Sequence, residues 1–177
     1  MQFDLKSHPA APPAGPPFRV WASVDHAASF GAMATTNIWF GVGAPASRFA
    51  LPGAAEGRAD ELWRTTCFEA FLRADGEEKY REWNFAPSGQ WAAYDFATYR
   101  EGMSQAEVAE PYIRLEDNFT WVALGATIAV QSDRIWQLGL SAVLEEQDGT
   151  KSYWALAHPP SDKPDFHHPD CFAARLA

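Results

Sequence analysis

Apolar and polar residues alternate with a period of two along most of the chain, which predicts β-strands with one covered face. Phe18, Val20, Ala22 and Val24 alternate with Arg19, Trp21, Ser23 and Asp25. Similar short runs predict strands over 37–42, 48–51, 67–73, 80–85, 91–96, 120–130, 135–145, 153–157 and 172–176. Turn formers interrupt them at Gly43 to Pro45, Asp75 and Gly76, Pro87 to Gly89, Ser132 and Asp133, and Asp148 and Gly149; such residues supply a preset or positive φ. Helical periodicity is confined to a turn or two over 104–109. Roughly eight to ten short strands at this spacing predict an all-β, antiparallel β-sandwich of jelly-roll type, with a barrel as the alternative. A Pro/Ala/Gly-rich lead-in over 1–17 precedes a single domain over 18–177, a length suited to one core.

Parity along each strand separates two faces. Val122, Leu124, Ala126, Ile128 and Val130 form one buried series, Trp136, Leu138, Leu140, Ala142 and Leu144 another, and Phe68, Ala70 and Leu72 a third. Glu69 and Phe71 then point away from that core. If Trp83 and Phe85 face inward, Tyr80, Glu82 and Asn84 join Glu69 on the outer face, where side chains of neighbouring strands meet at about 5 Å. Two carboxylates and an amide on such a face form a surface that hydrogen-bonds hydroxyls. The alternative is a solvated face on which the glutamates pair with Arg64, Arg73 or Arg81. The same two carboxylates also match the acid and base of a hydrolase or lyase.

Composition narrows the partners. The formal charge of −9 and pI near 4.9 repel phosphate backbones and anionic lipid, so neither nucleic acid nor membrane is expected as a partner, whereas neutral polar ligands and cations stay open. The opening residues have no basic segment followed by an apolar run, and no stretch is long and apolar enough to span a bilayer, so a cytoplasmic location is expected. In that reducing compartment Cys67 and Cys171 are expected as buried thiols. Of eight tryptophans, Trp83 and Trp136 fit the core, while Trp63 and Trp91 fall where a rim is expected. An indole at a rim offers a flat apolar plate to the C–H face of a sugar. The loop from Pro164 to Asp170 crowds His167 and His168 with Asp165 and Asp170, a donor set that suits zinc in type but matches no standard ligand spacing. The nucleophile elbow, the phosphate-binding loop, the dinucleotide fingerprint and the C-x-x-C pair are all missing.

The segments Trp63-Arg64-Thr65-Thr66-Cys67-Phe68-Glu69-Ala70-Phe71 and Tyr80 to Trp91, with Tyr153-Trp154 and the run Pro164 to Phe172, resemble the DOMON-like proteins related to family-nine carbohydrate-binding modules. The resemblance covers the chain from about Trp63 onward. It implies a β-sandwich that binds sugars in some relatives and haem in others. By this likeness Trp63, Glu69 and Phe166 frame a sugar, with Glu82, Asn84 and His167 beside them; Phe166 stands where the modules carry tryptophan. A haem-binding electron-transfer domain is the second expectation, with Met33, Met103, His158, His167 and His168 as candidate iron ligands, although Thr65 occupies a position where histidine is expected in the closest relatives. A structural calcium, seen in some relatives, is a further cofactor expectation, with no clear motif behind it. Oligomeric state is not legible.

Overall fold

The structure is a computed structural model and describes residues 1–27 and 32–176. Among these residues the chain forms twelve strands, β1 (Gln2–Ser7), β2 (Val20–Ala27), β3 (Met33–Val42), β4 (Cys67–Ala74), β5 (Tyr80–Phe85), β6 (Trp91–Phe96), β7 (Ser104–Gln105), β8 (Tyr112–Asp117), β9 (Val122–Gln131), β10 (Trp136–Glu145), β11 (Lys151–Ala155) and β12 (Ala174–Leu176). Three single 3-10 turns, Ala46–Arg48, Leu62–Arg64 and Pro169–Cys171, complete the regular structure. No helix among the described residues is long and apolar enough to cross a membrane.

The strands form one antiparallel sheet in the order β7-β6-β5-β4-β10-β11-β1-β2-β3-β9-β8, with β12 on the far edge of β10. β1 joins its two halves. Gln2 to Leu5 pair with β2, while Lys6 and Ser7 pair with β11. The sheet curls, and the halves meet across a core in which the rings of Phe40 on β3 and Phe68 on β4 lie 5.3 Å apart. Ile38, Leu124, Trp83, Phe85, Leu138 and Leu140 pack into the same core. Removing these large side chains from water is the main favourable contribution to folding.

The predicted strands 80–85 and 91–96 keep both their limits, and most others shift by one to three residues. The departures have local causes. Within the 1–17 lead-in, Gln2–Ser7 is a paired strand, because Leu5 is an anchor for the core on a segment otherwise polar or half-buried. Residues 48–51 form no strand. Pro45 and Pro52 flank them, and the segment makes one isolated bridge, Phe49 with Glu146, held by the Arg48 ion pair to Glu146 at 2.8 Å. The helical turn expected over 104–109 is instead the two-residue strand β7, pairing with Tyr94 and Asp95.

Several tryptophans also find particular seats. Trp91, expected at a rim, is 6% exposed in the core, with the Arg58 guanidinium 4.3 Å from its ring. Trp136 is half-buried at the core's margin, where its indole N–H donates to the Gln131 carbonyl at 2.8 Å. Trp39 lies across Gly125, its register partner, so closely that a Cβ there would sit 2.9 Å from the indole. A side chain at Gly125 would displace that ring. Both cysteines are buried free thiols.

Candidate functional site

Register assembles the site. Glu69 on β4 stands opposite Asn84 on β5 and Ser141 on β10, and Glu82 on β5 stands opposite Phe71 and Tyr94. All six share the outward parity, opposite Phe68, Ala70, Trp83 and Phe85. The outer face is nevertheless not open. The segment from Pro164 to Phe172 crosses it, and Phe166 and Phe172 close a second apolar cluster with Phe71, Tyr80, Tyr94, Phe96 and Val143. Beneath this roof Glu69 is 3% exposed, Glu82 5% and Asn84 0%. The flat, solvated face is thereby corrected: long-range packing of the C-terminal segment, which strand parity does not encode, covers it.

A hollow of about 400 Å³ remains under the roof. Trp63, Glu69, Glu82, Arg100, Phe166 and His167 line it, together with Phe96, Met103, Val143, Tyr153 and Pro164. Trp63 belongs to the 3-10 turn just before β4; its ring meets Tyr94 edge-on at 5.9 Å and stays 36% exposed, so it forms the rim. Phe166 is 9% exposed against Tyr153 and His158 and serves as roof. Five of the six expected residues thus line one space. Asn84 lies behind the wall.

Hydrogen bonds fix the polar groups. The Ser141 hydroxyl donates to Glu69 Oε2 at 2.9 Å, and Asn84 Nδ2 donates to Glu82 Oε1 at 2.7 Å. Cys67 Sγ reaches Asn84 Oδ1 at 3.6 Å and so holds that amide in place. The Arg100 backbone N–H donates to the Tyr80 oxygen at 3.2 Å, and that hydroxyl shares a hydrogen bond with His167 Nδ1, 2.7 Å away. His167 Nε2 lies 3.6 Å from Glu82 Oε2.

Neither glutamate meets any of the arginines expected to neutralise it. Arg64 pairs with Glu61, Arg81 with Asp95, and Arg73 hydrogen-bonds Gln137. Arg100 does enter the hollow, from a turn in which its own φ is 57°, but its guanidinium is held by Asp165 at 2.7 Å. Tyr99 donates a further hydrogen bond to the same Asp165. Burial is the main cause that raises the Glu69 carboxyl to about 8, with the Glu82 charge adding to it and Ser141 opposing. Burial likewise raises Glu82 to about 7, against the Asn84 hydrogen bond and the Arg100 charge. Burial, then the Arg100 charge, lowers His167 to about 4, so it is neutral. Tyr80 is pushed up to about 12 by burial. The pocket thus holds protonatable carboxyls, a neutral imidazole and aromatic walls, a set that can donate and accept hydrogen bonds.

Sequence reasoning did not place Arg100, Tyr153, Phe96 or Met103 in a sugar site. Arg100 and Met103 come from a loop without a periodic signal, Met103 being expected only as an iron ligand, while Phe96 and Tyr153 lie on predicted strands. Ser141 had such a signal, a hydroxyl on the outward parity of a predicted strand. A larger hollow of about 650 Å³ opens at one end of the curl, and most of its charged side chains pair with one another, Arg81 with Asp95 and Arg134 with Glu77.

The residues do not fit a haem. Met33 lines the larger hollow, which has no histidine in its wall. Met103 shares the smaller one with His167, whose Nδ1 is taken by Tyr80 and whose Nε2 faces Glu82. His158 and His168 line neither hollow; His158 contacts the Lys6 carbonyl, and His168 Nδ1 accepts from the Asp170 N–H. Among the described residues no three His, Cys, Asp or Glu side chains come together as a metal site.

No family model matches the chain, and no curated protein is similar to it. Among solved structures it is similar to a protein from Bacteroides uniformis provisionally described as carbohydrate-binding. The TM-score is 0.58 at 12% identity, over 97% of this chain and 83% of that one. At that identity the likeness is one of fold: an antiparallel all-β chain.

Proposed function

We propose that the chain is a carbohydrate-binding module of the DOMON-like β-sandwich type, taking a small sugar or polyol into the roofed hollow. The observation that carries this reading is the hollow itself, about 400 Å³ with an indole at its rim and two hydrogen-bonding carboxyls in its wall, which is the size and make-up of a small-molecule site. Trp63 stacks on the sugar's C–H face, Glu69 and Glu82 bond its hydroxyls, Asn84 orients Glu82, and Phe166 and His167 close the roof. The fold likeness to a protein described as carbohydrate-binding supports the same reading. Calorimetry against a panel of mono- and disaccharides is expected to find a ligand whose affinity falls about tenfold or more in Trp63→Ala. The exposed position of Trp63 keeps that variant folded. A wild-type blank across the panel overturns the reading.

The raised carboxyls favour a second reading, acid–base catalysis by Glu69 and Glu82. Product released from the same panel and lost in Glu82→Gln carries it; a panel recovered unchanged removes it.

A further inference from the structure

The buried carboxyls of the hollow have no cationic side chain in contact with them among the described residues. Glu69 and Glu82 are each more than nine-tenths buried, and among the described residues the one basic group within 4 Å of either is His167, 3.6 Å from Glu82 and neutral. Arg100, the sole lysine or arginine in the described lining, is committed to Asp165 at 2.7 Å. A sugar hydroxyl would hydrogen-bond these carboxyls without stabilising their ionised form, whereas a cation stabilises that form and is also attracted by aromatic faces. Trp63, Phe96, Tyr153 and Phe166 supply such rings in the same wall. The overall charge of −9 draws cations toward the protein.

We infer that the hollow selects ligands bearing a positively charged nitrogen, an amino sugar or another ammonium-bearing polyol, held between Glu69 and Glu82 and walled by aromatic rings. The inference rests on the reading of this hollow as a carbohydrate site and names its ligand class. In the empty site burial disfavours the charge of both carboxyls, so that at neutral pH Glu69, raised to about 8, holds its proton and Glu82, raised to about 7, holds it about half the time. A bound ammonium displaces those protons, so binding tightens as pH rises. The neighbouring groups whose titration is shifted move away from this range. Burial raises Cys67, Tyr80 and Tyr94. His167 is lowered, and the Arg100–Asp165 pair remains ionised.

The test titrates the wild-type protein with glucosamine, glucose and N-acetylglucosamine, and separately with choline, whose charge does not change with pH, and its uncharged isostere 3,3-dimethylbutan-1-ol. Glucosamine is expected to bind about tenfold tighter than glucose, with N-acetylation erasing the gain. Choline is expected to tighten from about pH 6 to about pH 8 while the isostere stays level. Glu82→Gln, or Glu69→Gln should the first misfold, is expected to lower the ratio of glucosamine to glucose affinity. Glucosamine no tighter than glucose overturns the inference and leaves the sugar reading intact. Choline bound with every sugar blank overturns the sugar reading and keeps the ammonium site. A blank for all five ligands overturns both.

Discussion

The two faces of the β4–β5–β10 region are buried to the same degree and hold opposite chemistry. Inward, Phe68, Ala70, Leu72, Trp83, Phe85 and Leu140 are at most 3% exposed and carry no ionisable group. Outward, on the same strands, Glu69, Glu82, Asn84 and Ser141 are at most 5% exposed. The inner face gains stability from contact with the other half of the sheet. The outer face gives some back, because charge removed from water is costly unless it is paired. Burial alone therefore does not separate core from site; what separates them is whether the buried atoms have partners of their own.

The widest gap between the faces should appear on truncating the inner one. Phe68→Ala removes a ring that spans the two halves of the sheet against Phe40 and is expected to cost about 3–5 kcal/mol. Urea unfolding of the variant measures this. Ligand affinity of the remaining folded protein should stay near the wild-type value, since Glu69 and Trp63 keep their backbone positions. A cost under about 1 kcal/mol would mean that the halves do not share one core.

Much of this contrast is legible in sequence, for a geometric reason. Strand parity is local, so alternation separates Phe68 from Glu69 and Trp83 from Glu82 and Asn84, and taking the large apolar Trp83 and Phe85 as inward puts the three polar groups on one side. The roof is not local. Phe166 and His167 lie some eighty residues from Glu82 in sequence, and only the resemblance to sugar-binding modules connected them to Glu69 and Trp63. Arg100 and Met103 enter from a loop with no period to read. β8 was missed because it is an edge strand, exposed or half-buried throughout, whose Arg114 and Glu116 look like loop and also guard the edge. Trp91 was misplaced because a turn before a tryptophan says nothing about depth; its alternation with Ala93, a core residue, was the better signal.

The cost of the outer face should be visible as a pH dependence. Glu69 and Glu82 bind protons more tightly folded than unfolded, so the stability they contribute is fully present below their ordinary carboxylate range. It is lost as pH rises through about 7 for Glu82 and about 8 for Glu69. The melting temperature is expected to fall between about pH 5 and about pH 8, and each kcal/mol lost corresponds to roughly 2–4 °C in a chain of this length. Glu69→Gln should flatten that fall and raise the melting temperature at the alkaline end. A wild-type melting temperature level across the range would remove the claim that these carboxyls lack a counterion.

The smallest effect is expected where the inner face runs out into solvent. Arg81 shares the parity of Trp83 and Phe85 but sits at the end of β5, where the larger hollow opens. Its guanidinium makes two bonds to Asp95, at 2.7 and 2.9 Å, with the two side chains 35% and 43% exposed. A two-pronged geometry favours the pair, yet water screens it, and exposed pairs contribute about 0.2–1 kcal/mol. Arg81→Met keeps the apolar stem over the core and deletes the charge, so chemical denaturation should register a change of no more than about 1 kcal/mol. A loss above about 2 kcal/mol would mean that Asp95 had been left buried without a partner. The inner face would then carry a charge problem of its own, and the division between an apolar core side and an ionisable site side would no longer hold along the whole of β5.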